Sequence, residues 1–81
     1  MRDVLLKLLP EFDLLEGADL REKALQCWEL ALTEGGWAPE ALLAMPFTLL
    51  INPCPANFIE HVRGVTLTAL RAAEVFQQIY G

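Results

Sequence analysis

The side chains able to do chemistry in this sequence are few, and His61 stands out because it is the only histidine. An imidazole can bind a metal ion or transfer protons near neutral pH. The two cysteines are Cys27 and Cys54. A Cys–His catalytic pair needs hydrogen-bond reach and usually a third orienting group. Cys54 lies in a Pro-Cys-Pro turn with no sign of either, so neither a thiol enzyme nor a zinc site of Cys27, Cys54 and His61 is favoured.

The element that must position His61 is a long helix, predicted from Phe58 to about Tyr80. Asn57 is a typical N-cap residue, and Glu60 three residues later completes a capping pattern. His61 lies at the flank of the apolar stripe of this helix, and Gly64 on the same side indicates close approach by another segment or by a ligand. A packed histidine beside a packing glycine and a metal or acid–base residue both remain open. The stripe predicts packing against at least two neighbours and comprises Phe58, Val62, Val65, Ala69, Ala72, Ala73, Phe76 and Tyr80.

The run from Glu60 to Glu74 resembles the first motif helix of the HD-domain superfamily, which are metal-dependent phosphohydrolases with an all-helical core. The preceding segment Pro46–Ile51, followed by a proline turn and a capped helix, is similar to the N-terminal regions of such proteins. The resemblance covers only this C-terminal part of the chain, and its motif positions are His61, Arg63, Val65, Ala69 and Ala73.

The resemblance implies that His61 is the first ligand of a divalent metal, which would be Mn, Fe or Mg. In HD domains a later His-Asp doublet and a distant Asp complete the site, and the metal activates water and neutralises phosphate charge. This sequence has no His-Asp pair. One imidazole cannot hold a catalytic metal, because such sites need at least three protein ligands. We therefore expect residues 1–81 to be the N-terminal part of a longer HD-type enzyme, which alone is inactive and does not bind a metal tightly. In the intact enzyme Arg63 or Thr68 could contact the substrate phosphate, which is inferred from their positions on the helix and not from the motif.

The rest of the chain predicts a single small all-α domain of about four helices with one extended crossing segment. The first helix spans Arg2–Leu9 and ends at Pro10. The second spans Leu20–Glu34, with Asp19 and Glu22 as a capping box and Gly35-Gly36 as a left-handed stop. The connector between them should place Phe12, Leu14 and Leu15 on the core. The third helix should open at Pro39 and end near Met45, and the segment Pro46–Ile51 should then cross the core. The predicted buried face of the second helix comprises Leu20, Ala24, Cys27, Trp28, Ala31 and Leu32.

The composition predicts that another copy of the chain, or a continuation of it, covers part of its apolar surface. Apolar residues make up 54% of 81 positions, which is more than a small monomer easily buries. The alternative to the phosphohydrolase is thus a non-catalytic helical interaction module that forms a homodimer or larger homo-oligomer through its exposed apolar helix faces.

Charge and cysteine content bear on nucleic-acid binding, membrane insertion and cellular location. Six Lys and Arg against eleven Asp and Glu give a net charge of −5, with no basic run to bind a nucleic-acid backbone. The C-terminal apolar segment is interrupted by charges, so we expect no membrane span. Two cysteines without a disulfide framework favour a cytoplasmic location. The substrate of an HD-type enzyme would be a phosphoester.

Overall fold

The computed structural model describes all residues 1–81, and its regular structure is helical. Short 3-10 helices occupy Pro10–Leu14 and Pro39–Leu43. The only β-type pairing is an isolated bridge between Pro46 and Asn57. The predicted all-α class is therefore confirmed. The three α-helices are α1, Arg2–Leu8, α2, Ala18–Gly35, and α3, Phe58–Tyr80.

The predicted count of four helices is not confirmed, because the segment that opens at Pro39 winds more tightly than an α-helix. The Ala41 amide donates to the Ala38 carbonyl at 3.0 Å, and the Ala44 amide donates to the Ala41 carbonyl at 3.1 Å. These are the i→i+3 bonds of a 3-10 helix. Pro46 follows too soon for a stable α-helical nucleus to extend.

The core is small and lies where α1, α2, the start of α3 and both 3-10 helices meet. Trp28 seals one edge of it, with its ring 6.4 Å from that of Phe12 in an edge-on arrangement and 6.3 Å from that of Phe58. Both distances lie in the range of favourable aromatic pairs. Leu15 packs at the margin, whereas Leu14 is exposed, contrary to its predicted docking. Pro39 is also buried, and the hydrophobic core cluster comprises Leu5, Leu9, Phe12, Leu25, Leu32, Leu42 and Ile59.

The start of α2 differs from the predicted capping box. The N-cap residue is Gly17, and no side chain caps the helix. Asp19 lies inside the first turn and pairs with Lys23 at 3.1 Å, while Glu22 accepts a 2.8 Å hydrogen bond from Arg2. The Glu22 carboxylate, which the local pattern assigns to the helix cap, therefore binds Arg2 of α1 instead. The end of α2 is as predicted, with Gly36 in the left-handed conformation at φ 72°.

The buried face of α2 is also rotated about the helix axis relative to the predicted face, by somewhat less than the angle between successive residues. Leu25 and Leu32 are buried, whereas Leu20, Cys27 and Ala31 are exposed. Leu32 belongs to both the predicted and the observed face, and Leu25 takes the place of Leu20 because it packs in the core with Leu5 and Leu9.

The predicted crossing segment Pro46–Ile51 does not lie on the core. Leu49 and Leu50 are 90% and 94% exposed. The amide of Phe47 donates to the Ala56 carbonyl at 3.3 Å, which closes a loop at its base. An isolated extended segment with no partner strand gains nothing from ladder hydrogen bonds, and here the chain forms an exposed loop instead.

Helix α3 begins in the core and then leaves it. Ile59 is buried, but every residue from 71 to 81 is exposed. The predicted stripe is therefore covered only near its start: Val65, Phe76 and Tyr80 are 55%, 63% and 80% exposed. We call residues 71–80 the distal end of α3. No helix of this chain combines the length and apolar character needed to cross a bilayer.

Candidate functional site

A reciprocal capping box fixes the start of α3, as the sequence predicts. The amide of Glu60 donates to Oδ1 of Asn57 at 2.8 Å, and the amide of Asn57 donates to Oε1 of Glu60 at 2.9 Å. Two amides that lack helical partners are thereby satisfied. The amide of His61 also donates to the Asn57 carbonyl at 3.1 Å, so the position of the imidazole is set by this cap.

The imidazole of His61 lies on the surface and stacks on Phe47. The two rings are nearly parallel, with an interplanar angle of 15° and centroids 5.0 Å apart. His61 is exposed, rather than partly covered as its flank position predicts. Its side chain takes part in none of the hydrogen bonds or ion pairs of the chain. The stack on Phe47 is therefore the contact that is seen to orient this ring.

The residues present do not by themselves fit a metal. No three His, Cys, Asp or Glu side chains lie close enough together to hold an ion. Cys27 is exposed on α2, and the Sγ atom of Cys54 donates to the Ala56 carbonyl at 3.2 Å. The structure therefore does not bring Cys27, Cys54 and His61 together, and it shows no pairing of Cys54 with His61.

Arg63, the second motif position, joins α3 to the first 3-10 helix. Its Nε atom donates to Oε1 of Glu11 at 2.7 Å, across a sequence separation of 52 residues. The Glu11 side chain is only 9% exposed, and its Oε2 atom is buried without a hydrogen-bond partner. Arg63 is thus engaged within the chain, while Thr68, the other residue considered for phosphate contact, is exposed.

An apolar groove of about 220 Å³ lies beside this ion pair, and we call it the Glu11 groove. Apart from Glu11 and Thr66 its lining is apolar. The sequence does not predict this groove, because no local pattern links the connector before α2 with α3. The one available signal was the pair Leu14-Leu15 within an acidic connector. The lining includes Phe12, Leu15 and Trp28, and from α3 Val62, Thr66 and Leu70.

The distal end of α3 adds a second uncovered apolar surface. Phe76 and Tyr80 contact each other, with ring centroids 5.6 Å apart, but they touch no other element closely enough to be buried. Val75 and Ile79 are 56% and 65% exposed. Contiguous exposed apolar patches of more than a few hundred Å² are rare on monomeric proteins.

No protein-family model, curated protein or solved structure matches this chain. The resemblance of the run Glu60–Glu74 to HD domains therefore stays a prediction. What the structure offers is one exposed histidine, one groove with a buried carboxylate, and an apolar helix end that nothing covers.

Proposed function

We propose that this chain is a helical interaction module that associates with further copies of itself through α3. The observation that supports this most is the exposure of four large apolar side chains on the distal end of α3, namely Val75, Phe76, Ile79 and Tyr80. Their burial against another surface would be the main source of free energy for association.

The total surface of the chain has the right size for such an interface. A compact protein of 9.1 kDa should expose about 4,900 Å² by the scaling of surface with mass. This chain exposes 6006 Å². The surplus of roughly 1,100 Å² compares with about 800 Å² per partner in a typical stable interface. One partner of similar size would therefore cover it.

The charge distribution also permits two copies to meet. The chain carries a net charge of −5, which opposes self-association wherever the acidic residues face each other. On the distal end, however, the only charged residues are Arg71 and Glu74, which pair with each other at 3.0 Å. The apolar side chains there can approach a second copy without bringing like charges together.

Sedimentation equilibrium at micromolar concentration tests this proposal. We expect a species of twice 9.1 kDa for the native sequence and a monomer for Phe76→Ser. Leu49→Ser is the matched control, because Leu49 is equally apolar and more exposed but lies in the loop before α3. A monomeric native chain, or equal loss of association in both variants, would contradict the proposal.

The second candidate is the N-terminal part of an HD-type metal-dependent phosphohydrolase, with a phosphoester substrate. The observation that favours it is the open surface beside His61. A Cβ built on Gly64 would meet nothing within 4 Å, so further helices bearing metal ligands have room to pack there. His61 would then be one ligand of Mn²⁺, Fe²⁺ or Mg²⁺, and a metal so held would activate water for hydrolysis.

Calorimetric titration with Mn²⁺ or Fe²⁺ tests the second candidate. We expect weak binding by residues 1–81 and tight binding, with phosphoester hydrolysis, once the chain is extended by whatever natural coding sequence supplies a His-Asp doublet. His61→Ala should abolish both in the extended chain, whereas Thr68→Ala, an exposed neighbour on the same helix, should keep metal binding. Unchanged metal affinity and activity in His61→Ala would show that His61 is not a ligand.

A further inference from the structure

Glu11 lines the groove, and one oxygen of its carboxylate has no hydrogen-bond partner within the chain. Oε2 of Glu11 is buried and has no partner, although Oε1 of the same carboxylate accepts a bond from Arg63. A buried acceptor without a donor is unfavourable, and in native proteins such atoms are almost always satisfied. A group that binds in the groove should therefore be largely apolar and should carry a hydrogen-bond donor.

The size of the groove favours protein side chains over a small molecule. Its volume of about 220 Å³ lies below the roughly 300–1,000 Å³ of pockets that enclose small ligands. Its lining of Phe12, Trp28, Val62 and other apolar side chains suits an aromatic group. One or two aromatic side chains, one of them with a donor, would match both the volume and the free oxygen.

The distal end of α3 carries such a pair. Phe76 and Tyr80 lie one turn apart, with ring centroids at 5.6 Å, and both are largely exposed. The Tyr80 hydroxyl is a donor. Tyr80 cannot reach the groove of its own chain, because Val62 in the groove is eighteen residues earlier on the same helix, about 27 Å away.

The spacing along α3 makes a second copy a suitable source of this pair. Eighteen residues are five full helical turns, so Val62 and Tyr80 lie on the same side of α3. If two α3 helices run antiparallel about a two-fold axis near residue 71, Tyr80 of each copy comes opposite Val62 of the other, and Phe76 comes opposite Thr66. Ala69 and Ala73 on that side leave room for close approach, and Arg71 lies on the opposite side of the helix.

We infer that two copies pair antiparallel along α3 and that each places Phe76 and Tyr80 in the Glu11 groove of the other, with the Tyr80 hydroxyl donating to Oε2 of Glu11. This arrangement rests on the self-association proposed above and specifies its geometry. It fills the groove, covers Phe76 and Tyr80, and satisfies the unused oxygen of Glu11 once the carboxylate turns Oε2 toward the groove. The two cores lie at opposite ends of the dimer, so they do not collide, and a closed two-fold contact of this kind is self-complementary.

Dimer affinity and Trp28 fluorescence together test the arrangement. Trp28 lines the groove, and Trp37→Phe leaves it as the only tryptophan. In that background we expect the emission of Trp28 to change as the chain is concentrated, in step with the dimer fraction from sedimentation equilibrium. Tyr80→Phe keeps the ring and removes only the hydroxyl, and should raise the dimer Kd by about 10-fold or more.

Further variants separate this geometry from nonspecific hydrophobic association. Phe76→Ala should weaken the dimer more than Tyr80→Phe, whereas Ile79→Ala, which removes an equally exposed side chain from another side of α3, should raise the Kd much less than Phe76→Ala. In a Glu11→Leu background, Tyr80→Phe should have no further effect, because the acceptor is gone; circular dichroism checks that the variant stays folded.

The outcomes distinguish this inference from the broader proposal. A dimer whose affinity ignores Tyr80→Phe and Phe76→Ala, and whose formation leaves Trp28 emission unchanged, would overturn the exchange geometry while leaving self-association intact. A native chain that stays monomeric would overturn both.

Discussion

Arg2 is the residue on which the polar contact between α1 and α2 depends. Its guanidinium donates to Glu22 through Nη1 at 2.8 Å and to Glu29 through Nε at 3.2 Å. The hydrogen bonds that Arg2 donates to Glu29 and Glu22 raise the pKa of Arg2. The hydrogen bond from Arg2 lowers the pKa of Glu22, because it favours the ionised carboxylate.

The lowered pKa of Glu22 gives a pH-dependent contribution to stability. A carboxyl whose pKa is lower in the folded state stabilises the fold above its unfolded pKa of about 4.3, and this contribution disappears as the pH falls through the lower value. We expect Glu22→Gln to unfold at lower urea concentration than the native chain near neutral pH, and the difference to vanish in strong acid. Glu40→Gln is the control, since Glu40 is exposed and has no ion pair. A difference that persists in strong acid would show that the Arg2 contact is not its cause.

The stack on Phe47 is the side-chain contact through which His61 should contribute to stability. Because the ring is exposed, His61→Ala should cost no more than about 1 kcal/mol in the free energy of unfolding, the scale of an aromatic pair. Helicity by circular dichroism should stay unchanged. A loss above about 2 kcal/mol would instead mean that the imidazole is packed or hydrogen-bonded in a way that the stacked geometry does not provide.

At the scale of elements, the capping box of α3 is the local interaction that decides where the helix begins. Asn57→Ala removes the acceptor of the Glu60 amide and should lower the free energy of unfolding by about 1 kcal/mol, within a range of about 0.5–2 kcal/mol. Urea denaturation measures the loss. Asn52→Ala in the preceding loop is a control, because its side chain caps no helix. Equal effects in the two variants would mean that the cap does not hold α3.

Where local signals decide an element, the sequence predicts it well. Asn57 and Glu60 predict the start of α3, and Gly36 predicts the end of α2, because capping depends on residues within one turn. The buried face of α2 and the true partner of Glu22 could not be read in this way. Both depend on α1, which lies far away in sequence.

The same distinction between local signals and long-range contacts applies to the candidate site. The position of His61 in the first turns of α3 follows from the cap and could be predicted. Its stacking on Phe47 could not, because it depends on how the exposed loop closes at its base. The ion pair of Glu11 with Arg63 spans 52 residues, and the groove beside it exists only once α3 packs against the first 3-10 helix. Periodicity within one element contains no information on such contacts.

On the scale of the whole molecule, the chain is more extended than its length requires. Its radius of gyration is 14.6 Å, whereas a compact chain of this length should have about 12 Å. The extents of 41 × 32 × 18 Å reflect the projection of α3 beyond a core of only seven buried residues. A core of this size gives little stability on its own, so association should contribute much of the total.

The stability of the fold should therefore depend on chain concentration. When only the folded state dimerises, mass action adds to the free energy of unfolding as the concentration rises, by about 1.4 kcal/mol of dimer for each tenfold increase. We expect the urea midpoint of the native chain to rise across a roughly hundredfold range of concentration above the dimer Kd. Phe76→Ser, which should not dimerise, provides the control, and its midpoint should stay constant and low. If the native midpoint is equally constant, the folded monomer is stable by itself, and the uncovered end of α3 contributes nothing through association.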